Sequence, residues 1–562
     1  MAENKKKNNK KPSGPMHTIS FLITDVEGYG RPRDAFDGRF YMMWKIHNQL
    51  VKEAKKRLST LFCNKKYRIL RQKYHKRASE EAAIKKKIDE LNNKILEASE
   101  EAEKNEAQIK AWSEKVKELE PQYIELDEKR KALAKQLSVI QKQYGLYFGC
   151  FDHWVLPLSC KYRKHLSSQQ VQEECKRVWK AVCSVLYGDG KELHFQKLDE
   201  FASISQKRPT NGVKFDPWNG CGVWNGLKFK AEVNLGDPYV VESLLDQTIA
   251  YFEIKRMMFE SGYRYYVVVV LHGLAPHKID AADRDTSVQG GIDPGPSIIA
   301  FCTDKKAVLK RLAPESDKYD RRIRKLTEHA ERMQRAENPG NYNPDGTIRK
   351  GKKIWVKSKN LHRVRRKIRT LHRKQSAYIK QTHCETANEI IRSCGSIVIE
   401  PNNFKALQKR SKKTEKSDKT ITIQKADGTE KTIRKNKKKK RFGHSIRMHS
   451  PALMIAIIKQ KAEQYKIPVR EVNTGIYRAS QYNPLTGEYC KSDISERKKQ
   501  IGPYEVQRDL LSAFLIANPD KSLKHPDAKA CYDKFENFVK VQNAAISEMK
   551  TAHISYPQCF GF

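Results

Sequence analysis

The sequence has no long hydrophobic run. No stretch approaches the roughly 20 apolar residues that a helix needs to cross a bilayer, and the N-terminus lacks the apolar core of a signal peptide. The 12 cysteines among 562 residues form no CxxC pair, which argues against a secreted disulfide framework. We therefore expect no membrane partner, and a location in the cytoplasm or nucleoid of a prokaryote, or in the nucleus of a eukaryote.

Acidic residues are few in relation to basic ones. Asp and Glu total 66 against 110 Lys and Arg, which gives a formal net charge of +44. A free globular protein with this charge repels itself, so a polyanionic partner is indicated. Each Lys or Arg that meets a phosphate releases counterions, and this effect dominates nucleic-acid affinity. The charge therefore favours a nucleic-acid partner over a membrane surface.

The first part of the chain predicts a tail, a strand and several helices. Residues 1–15 are rich in Lys and polar residues and are expected to be disordered. A strand begins at Met16, and helical spacing follows from Phe40. Residues 76–142 carry apolar side chains every three to four positions, which predicts a helical hairpin turning near Pro121. This hairpin is either a solvated spacer or a pair of helices that flank a nucleic-acid duplex.

The second part predicts short strands followed by basic helices. A β-branched run at 263–273 predicts a strong strand, and three further strands separated by turns begin at Gly290. The segment SIVIE predicts a strand that ends at Glu400. Asp427-Gly428 lies between alternating segments and predicts a hairpin turn. The last predicted elements are a helix, a strand and a helix, at 446–466, 468–472 and 504–517.

Three acids lie at the ends of hydrophobic elements or inside them, namely Asp293, Glu400 and Asp509. A buried acid is costly unless a cation meets it, and carboxylate oxygens suit Mg²⁺. Two such ions about 4 Å apart can activate a water and stabilise the leaving oxygen of a phosphodiester. Taken singly, each acid has an ordinary explanation as a turn former, a salt-bridge partner or an exposed helix residue. Their order and surroundings together favour a site.

The segments around these acids resemble the three RuvC motifs of TnpB proteins and type V CRISPR effectors. GGIDPGPSIIAFCTD is similar to the first motif, SIVIEPNNFKAL to the second and VQRDLLSAFLIAN to the third. The connecting segments YRYYVVVVLHGLAP and RFGHSIRMHSPALMIAIIKQKAEQYKIPVREVNT are also similar to the family. The resemblance covers about 263–517, and more weakly 16–62 and 144–260.

The resemblance implies an RNA-guided DNA endonuclease. Asp293, Glu400 and Asp509 would be its catalytic residues and the ligands of two Mg²⁺ ions, for which Mn²⁺ can substitute. The implied partners are a guide RNA and a target double-stranded DNA with a short flanking motif. In such systems base pairing reads the sequence and the protein reads the flanking motif and duplex shape. We expect one protein chain in the complex, and the extra helices suggest a form intermediate between TnpB and CRISPR effectors.

The implied architecture is a bilobed, multidomain α/β protein. An RNase H-like RuvC domain accompanies a β-rich wedge domain and a helical recognition lobe. The expected segments are the basic tail at 1–15, the start of the wedge and first recognition helix at 16–62, the helical hairpin at 63–143, the remaining recognition helices and wedge strands at 144–280, the RuvC domain with basic inserts at 281–474, a degenerate zinc-knuckle-like insert at 475–503, the third-motif helix at 504–520 and a C-terminal segment at 521–562.

The sequence departs from the family where many TnpB proteins carry a four-cysteine zinc knuckle. A zinc site needs four ligands near one point, and the corresponding stretch holds only Cys490 and no histidine. We therefore predict no zinc. The alternative is a ligand from elsewhere, such as Cys531 or Cys559.

Candidate nucleic-acid contacts lie on basic helices and in a Gly-rich loop. Trp218 and Trp224 in DPWNGCGVWNG either stack on unpaired bases, worth about 1–3 kcal/mol each, or fill a small core beside the strand at 228–235. Arg497 is a candidate for the scissile phosphate or the metal site. The other candidate arginines are expected to bind phosphates, and the alternative is that they form a solvated basic face. They are Arg322, Arg324, Arg363, Arg365, Arg366 and Arg441.

Two other functions remain open from the sequence. A nuclease-dead relative would use its guide only to occupy DNA and repress transcription. A guide-independent nuclease or transposase would share the RNase H-like core. Retention of all three acids argues against the first, and the extended basic N-terminal half argues against the second.

Overall fold

The computed structural model of the protein describes residues 14–99, 102–188, 190–408, 416–424, 430–436, 442–491, 496–551 and 560–561. The chain divides into two compact units, Met1–Pro276 and His277–Phe562. Both units combine helices with sheets. The predicted mixed α/β class is therefore confirmed.

The first unit contains seven strands and six helices among its described residues. In chain order these are β1 (Met16–Val26), α1 (Pro32–Cys63), α2 (Lys65–Ser99), α3 (Ala102–Gln143), α4 (Cys150–Tyr162), α5 (Ser168–Tyr187), β2 (Ser203–Ser205), β3 (Val213–Asp216), β4 (Cys221–Trp224), β5 (Leu227–Glu232), α6 (Pro238–Leu245), β6 (Thr248–Phe259) and β7 (Gly262–His272).

The strands of this unit form one antiparallel sheet in the order β2-β6-β7-β1-β5-β4-β3. Phe215 on β3 contacts Phe252 on β6, with ring centroids 6.3 Å apart, so the sheet curves until its two ends approach. Helix α1 buries an apolar stripe that includes Phe36 and Phe40. Both rings contact Tyr265 of β7. Burial of these aromatic side chains makes this contact a main source of stability in the unit.

The predicted helical hairpin is present, but its turn is not at Pro121. Helix α2 ends at Ser99 and α3 begins at Ala102, and the two helices pack along each other. Pro121 lies inside α3 on an exposed position. A proline frees one carbonyl of the helix, and at an exposed position water can satisfy that carbonyl. The helix therefore continues through a residue that usually ends one.

The second unit contains the elements that follow the first motif. They are β8 (Gln289–Pro294), β9 (Ile298–Cys302), β10 (Ala307–Arg311), α7 (Ser316–Glu337), α8 (Lys359–Arg392), β11 (Ser396–Ile399), α9 (Phe404–Leu407), β12 (Lys416–Gln424), β13 (Glu430–Asn436), α10 (Gly443–His449), α11 (Pro451–Gln464), β14 (Val469–Glu471), α12 (Thr474–Tyr477), β15 (Lys498–Ile501), β16 (Tyr504–Gln507), α13 (Arg508–Ala517) and α14 (Ala528–Thr551).

A five-stranded sheet in the order β10-β9-β8-β11-β14 organises this unit. Strands β8, β9 and β10 pair antiparallel, whereas β11 is parallel to both β8 and β14. One face packs Ala300, Cys302 and Val398 against α13 and α14. The opposite face packs Ile292 and other side chains against α8 and α11. The sheet is covered on both faces, which explains why its strands read as continuous apolar runs.

Two predicted helices differ in the structure. The helix predicted over 446–466 is divided at Ser450, which has a left-handed backbone (φ 45°) and precedes Pro451. The helix predicted from 504 begins only at Arg508, because Tyr504–Gln507 pairs with Lys498–Ile501 as a hairpin. The hairpin predicted at Asp427-Gly428 has its two strands, with Gln424 opposite Glu430. Asp427 and Gly428 themselves lie outside the described residues.

The structure also contains a repeat that the sequence analysis missed. The segment NYNPDGT begins at Asn341 and the segment QYNPLTGE begins at Gln481, and each follows a short 3₁₀ turn. In the first copy the amide of Gly346 donates to the Asn343 carbonyl at 2.9 Å; in the second, the amide of Gly487 donates to the Asn483 carbonyl at 2.9 Å. A bridge between flanking residues closes each turn. We call these two turns the NP knuckles.

Candidate functional site

Two of the predicted acids lie side by side at one edge of the second unit's sheet. Ile399 of β11 pairs in register with Ile292 of β8, and the two strands are parallel. Asp293 and Glu400 are the next residue on each strand, and the Glu400 amide donates to the Ile292 carbonyl at 3.1 Å. Residues in register on adjacent strands point to the same face. The sequence prediction that these acids would be neighbours is therefore supported by the strand register.

Helix α13 brings the third acid to the same face. Gly291 lies two residues before Asp293, so both face the same side of the sheet. A Cβ atom built on Gly291 would lie 2.2 Å from the carbonyl oxygen of Ala513. The helix backbone thus rests directly on the strand at Gly291. Asp509 lies one turn before Ala513 on this helix, which directs it towards the end of the strand that carries Asp293.

The other two acids both act on the electrostatics of Asp293. Burial is the main cause that raises the pKa of Asp293 well above its ordinary value, and the negative charges of Glu400 and Asp509 raise it further. Arg508 and a hydrogen bond from Ser512 act in the opposite direction. Burial also raises the pKa of Glu400. These are the effects expected where carboxylates are gathered away from water.

Two arginines hold the carboxylate of Asp509. Arg508 donates to Oδ1 from Nε at 3.2 Å and from Nη2 at 3.0 Å. Arg497 places Nη1 3.7 Å from Oδ2, so this predicted contact residue lies at the site. The side-chain amide of Gln507 donates to Oδ2 at 3.4 Å. The negative charge of Asp509 is thus offset by two arginines that lie close to it in the sequence.

The donor set of this site suits a hard divalent cation. Three carboxylates offer only oxygen ligands. The raised pKa of Asp293 means that its ionised form is disfavoured, and a bound cation would stabilise that form. The described side-chain positions do not form a finished coordination sphere. In the described part of the chain, no three His, Cys, Asp or Glu side chains stand close enough together to hold one ion. The ligand chemistry therefore fits Mg²⁺, and Asp509 would have to exchange its arginine partners for the metal.

Replacing Asp293 by asparagine is expected to stabilise the metal-free protein. The raised pKa means that the ionised carboxylate is disfavoured in the folded state, so its cost appears as the pH rises above the unfolded value of about 4. Asparagine removes that cost, and each kcal/mol relieved raises Tm by about 2–4 °C in a unit of this size. Thermal unfolding in EDTA should show a higher Tm for Asp293→Asn at pH 7.5, with the difference shrinking towards pH 4.

Asp285 provides a control of opposite sign. Hydrogen bonds from Lys305 and Ser287 lower the pKa of Asp285 to about 2, so its ionised form is favoured in the folded state. Asp285→Asn should therefore not raise Tm at pH 7.5. An Asp293→Asn variant that is equally or less stable than wild type at that pH would contradict the electrostatic description of the site.

Four further residues at this site were missed from the sequence. They are Asn402, Gln507, Arg508 and Ser512. The side-chain amide of Asn402 donates to the Pro294 carbonyl at 2.8 Å and ties the two acid-bearing strands together beyond the sheet. Ser512 lies three residues after Asp509, and this helical spacing was the available signal. The only sequence signal for Arg508 was its position directly before Asp509.

The predicted nucleic-acid contacts fall into different environments. Arg322 and Arg324 are exposed on α7, and Arg363 is exposed on α8, whereas Arg365 and Arg366 are half-buried there. Trp218 is 46% exposed and remains a candidate for base stacking. Arg441 lies outside the described residues. Their contacts with nucleic acid remain predictions.

Trp224 is not available to stack on a base. Its side chain is fully buried, with its ring 5.3 Å from that of Phe36 and beneath the guanidinium of Arg39. Its indole nitrogen donates to the Gln170 side chain at 3.2 Å. The core alternative is therefore correct for Trp224. Side chains alternate between the two faces along β4, and Trp224, the last residue of the strand, faces inward, which is why it is buried.

The cysteines near the insert differ in their exposure to solvent. Cys490 is exposed and follows the second NP knuckle, and its amide donates to the Gln481 carbonyl at 2.8 Å. Cys531 is buried, and burial raises the pKa of its thiol to about 12, which disfavours the thiolate that zinc requires. Cys559 lies outside the described residues. The absence of zinc remains a prediction.

Comparisons with known proteins give a structural likeness only. No family model matches the chain, and no curated protein matches it. The cryo-EM structure of a Cas12f1–sgRNA–target DNA complex is similar at 12% identity and a TM-score of 0.40, covering 90% of this chain and 99% of that one. A CRISPR-Cas12f ternary complex is similar at 13% identity and a TM-score of 0.24, with the same coverage of 90% and 99%. At these scores the likeness supports no detail of the site.

Within the described residues, none of the helices has both the length and the apolar character needed to cross a lipid bilayer.

Proposed function

We propose that the protein is an RNA-guided DNA endonuclease with an RNase H-like, RuvC-type active site. The observation that carries the proposal is the placement of Asp293 and Glu400 on adjacent strands, with Asp509 on the helix that packs on the same face of the sheet at Gly291. Numbered from the first strand of that sheet, the strand order is 3-2-1-4-5, with the first three antiparallel. This order supports assignment to the RNase H-like class. The three motifs that resemble TnpB and type V CRISPR effectors lie on these same elements.

The carboxylates would hold two Mg²⁺ ions, which supply a nucleophilic water and stabilise the leaving 3′ oxygen of the phosphodiester. Asp293 and Glu400 are fixed by paired strands, so their positions vary little. The Ser512 hydroxyl lies near the Asp293 carboxylate and acts to lower its pKa, while donating to the Arg508 carbonyl at 3.1 Å. Arg497 and Arg508 lie against Asp509, where their guanidinium groups can also accept the negative charge of a bound phosphate.

The charge of the chain supports nucleic acids as the partners. A net charge of +44 requires a polyanion for compact assembly, and an RNA with its DNA target supplies it. The similar Cas12f structures are complexes with sgRNA and target DNA. We propose the same partner classes here, a guide RNA and a double-stranded DNA target with a short flanking motif.

The proposal predicts cleavage that depends on a matched RNA. The protein should copurify with RNA of discrete size when it is expressed with its native flanking DNA. With Mg²⁺, that complex should cut a plasmid that carries the matching target and leave a plasmid with a scrambled target intact. Sequencing of the bound RNA and gel analysis of the plasmids give the result.

The outcomes separate the proposed function from its alternatives. Discrete RNA and target binding without cleavage would indicate a nuclease-dead binder. Cleavage that is equal for both plasmids and insensitive to RNase would indicate a guide-independent nuclease. Either result would overturn the proposal.

A further inference from the structure

An irregular segment between α7 and α8 is held in place by the side-chain amides of two asparagines. We call residues 352–357, with the sequence KKIWVK, the strap. Asn338 is buried and pairs with Val356 twice, its side-chain amide donating to the Val356 carbonyl at 2.9 Å and its side-chain oxygen accepting from the Val356 amide at 2.7 Å. The amide of Asn341 donates to the Ile354 carbonyl at 2.8 Å. The strap is thus fixed although it belongs to none of the described strands.

This fixed segment presents apolar side chains to solvent. Ile354 is 88% exposed and Val356 is 61% exposed. Ile354 has the largest exposed fraction of the large hydrophobic side chains in the described residues. Between them, Trp355 packs edge-on against Tyr342 of the first NP knuckle, with ring centroids 5.8 Å apart. The knuckle therefore supports the strap from behind while two aliphatic side chains point outward.

The stretch of sequence that contains the strap is strongly basic. No Asp or Glu occurs between Asp345 and Glu385. Lysine and arginine recur through that stretch, and those nearest the strap are Arg349, Lys350, Lys352, Lys353, Lys357 and Lys359. Two exposed apolar side chains among so many cations do not resemble a protein-protein interface, because charged residues are depleted at the cores of such interfaces. This arrangement matches nucleic-acid sites in which cations contact phosphates and apolar side chains contact bases.

The side chains of the strap offer no strong hydrogen-bond acceptor for the 2′-hydroxyl of RNA. Selective recognition of RNA uses hydrogen bonds to the 2′-hydroxyl. The strap's side chains are cationic, aliphatic or aromatic, so none offers a strong acceptor. The carbonyls of Ile354 and Val356 are already bonded to Asn341 and Asn338. Contact with base faces further requires that the bases be unpaired.

We propose that the strap is a binding site for single-stranded DNA, in which Ile354 and Val356 contact the faces of unpaired bases and the flanking lysines contact phosphates. The site rests on the proposed function, because a DNA nuclease of this kind must handle separated strands. It adds a second contact region to the protein's DNA path, apart from the three acids.

The test is DNA binding by an Ile354→Ser/Val356→Ser double variant in the full complex with its RNA. Fluorescence anisotropy with a labelled single-stranded oligodeoxythymidylate should show affinity weakened about tenfold, within the range expected for losing base contacts. Affinity for a duplex of the same length should change less than twofold. A 2-aminopurine base in the oligonucleotide should be perturbed by wild type and not by the double variant.

Matched controls keep the result interpretable. Leu245 is 68% exposed and Val139 is 59% exposed, and both lie in the other unit. A Leu245→Ser/Val139→Ser variant should bind the oligonucleotide as wild type does. Thermal unfolding should give both double variants the wild-type Tm, because all four positions are exposed.

Several results would overturn the inference. Unchanged affinity for single-stranded DNA in the strap variant would do so, as would an equal loss for single strands and duplexes. A loss for RNA oligonucleotides that matches the loss for DNA would overturn the DNA assignment. A change in oligomeric state by analytical ultracentrifugation, with DNA affinity intact, would instead show that a second copy covers the strap. If wild type itself binds no nucleic acid, the proposed function fails, which is a distinct outcome.

Discussion

Replacing Asp293 by alanine is expected to lower the rate of target cleavage by about 10³-fold or more, because loss of metal-ion stabilisation costs several kcal/mol. Asp293 lies in register with Glu400 on the adjacent strand, and the charges of both Glu400 and Asp509 raise its pKa. The guide RNA and target DNA should bind as before, because Asp293 is a carboxylate and makes no favourable contact with a phosphate. Single-turnover cleavage of a matched plasmid in Mg²⁺, together with a gel-shift assay for target binding, measures both effects.

The neighbouring acids sharpen this experiment. Glu400→Ala and Asp509→Ala should each cause a comparable loss, and double variants should lose little more, since ligands of one site act as a unit. Asp304→Ala is a suitable control, because Asp304 pairs with Lys534 at 2.8 Å on the same unit and has no role at the site. Cleavage that persists within tenfold of wild type in Asp293→Ala would show that the chemistry takes place elsewhere.

The three acids could be singled out from the sequence because each interrupts an apolar element; their role as metal ligands stays a prediction. Asp293 ends a strand, Glu400 follows one directly, and Asp509 lies in an otherwise apolar helix. Parallel strands bring their carboxyl ends to one edge of a sheet, so two acids at strand ends are expected to meet. The partners of the acids were harder to find. Arg508 and Ser512 are common residue types whose roles depend on the face of α13 that meets β8.

The elements that were placed wrongly depend on tertiary context. Tyr504–Gln507 alternates apolar and polar residues over too few positions to decide between a helix and a strand, and its pairing with Lys498–Ile501 decides the outcome. Pro121 was expected to end a helix, but the packing of α2 along α3 maintains the helix on both sides. Trp224 could not be assigned to the core or the surface before the register of β4 was known.

The NP knuckles show a different limit of sequence reasoning. Their two copies share the letters YNP and a glycine, but the spacing from Pro to Gly differs by one residue, as Pro344 to Gly346 and Pro484 to Gly487 show. The backbone absorbs this difference, since each turn still closes on its asparagine carbonyl. The first copy supports the strap, and the second precedes the segment that carries Arg497. The shared turn thus recurs before the strap and before the segment that carries Arg497, which are two of the segments for which a nucleic-acid contact is predicted.

Gly291→Ala should cause a large loss of stability. The added Cβ would lie 2.2 Å from the Ala513 oxygen and 2.2 Å from the Ala517 nitrogen. Overpacking costs about 1–3 kcal/mol when side chains can adjust. Here the opposing atoms are the backbone of α13 and the strand is central in its sheet, so we expect about 3 kcal/mol or more. Chemical denaturation of the purified protein measures this loss as a lower midpoint.

The same substitution should also impair cleavage in protein that remains folded. Moving α13 away from β8 carries Asp509 with it, and a misplacement of about 1 Å at a catalytic group costs about 10²-fold. Gly340→Ala is the neutral control, because nothing lies within 4 Å of a Cβ there. Gly395→Ala is the control for destabilisation alone, since its Cβ would meet the Thr286 backbone at 2.0 Å, away from α13. Both variants should be assayed under conditions in which they are fully folded. If only Gly291→Ala then loses cleavage, the packing of α13 on Gly291 positions the third acid. Equal cleavage by the two variants would refute that role.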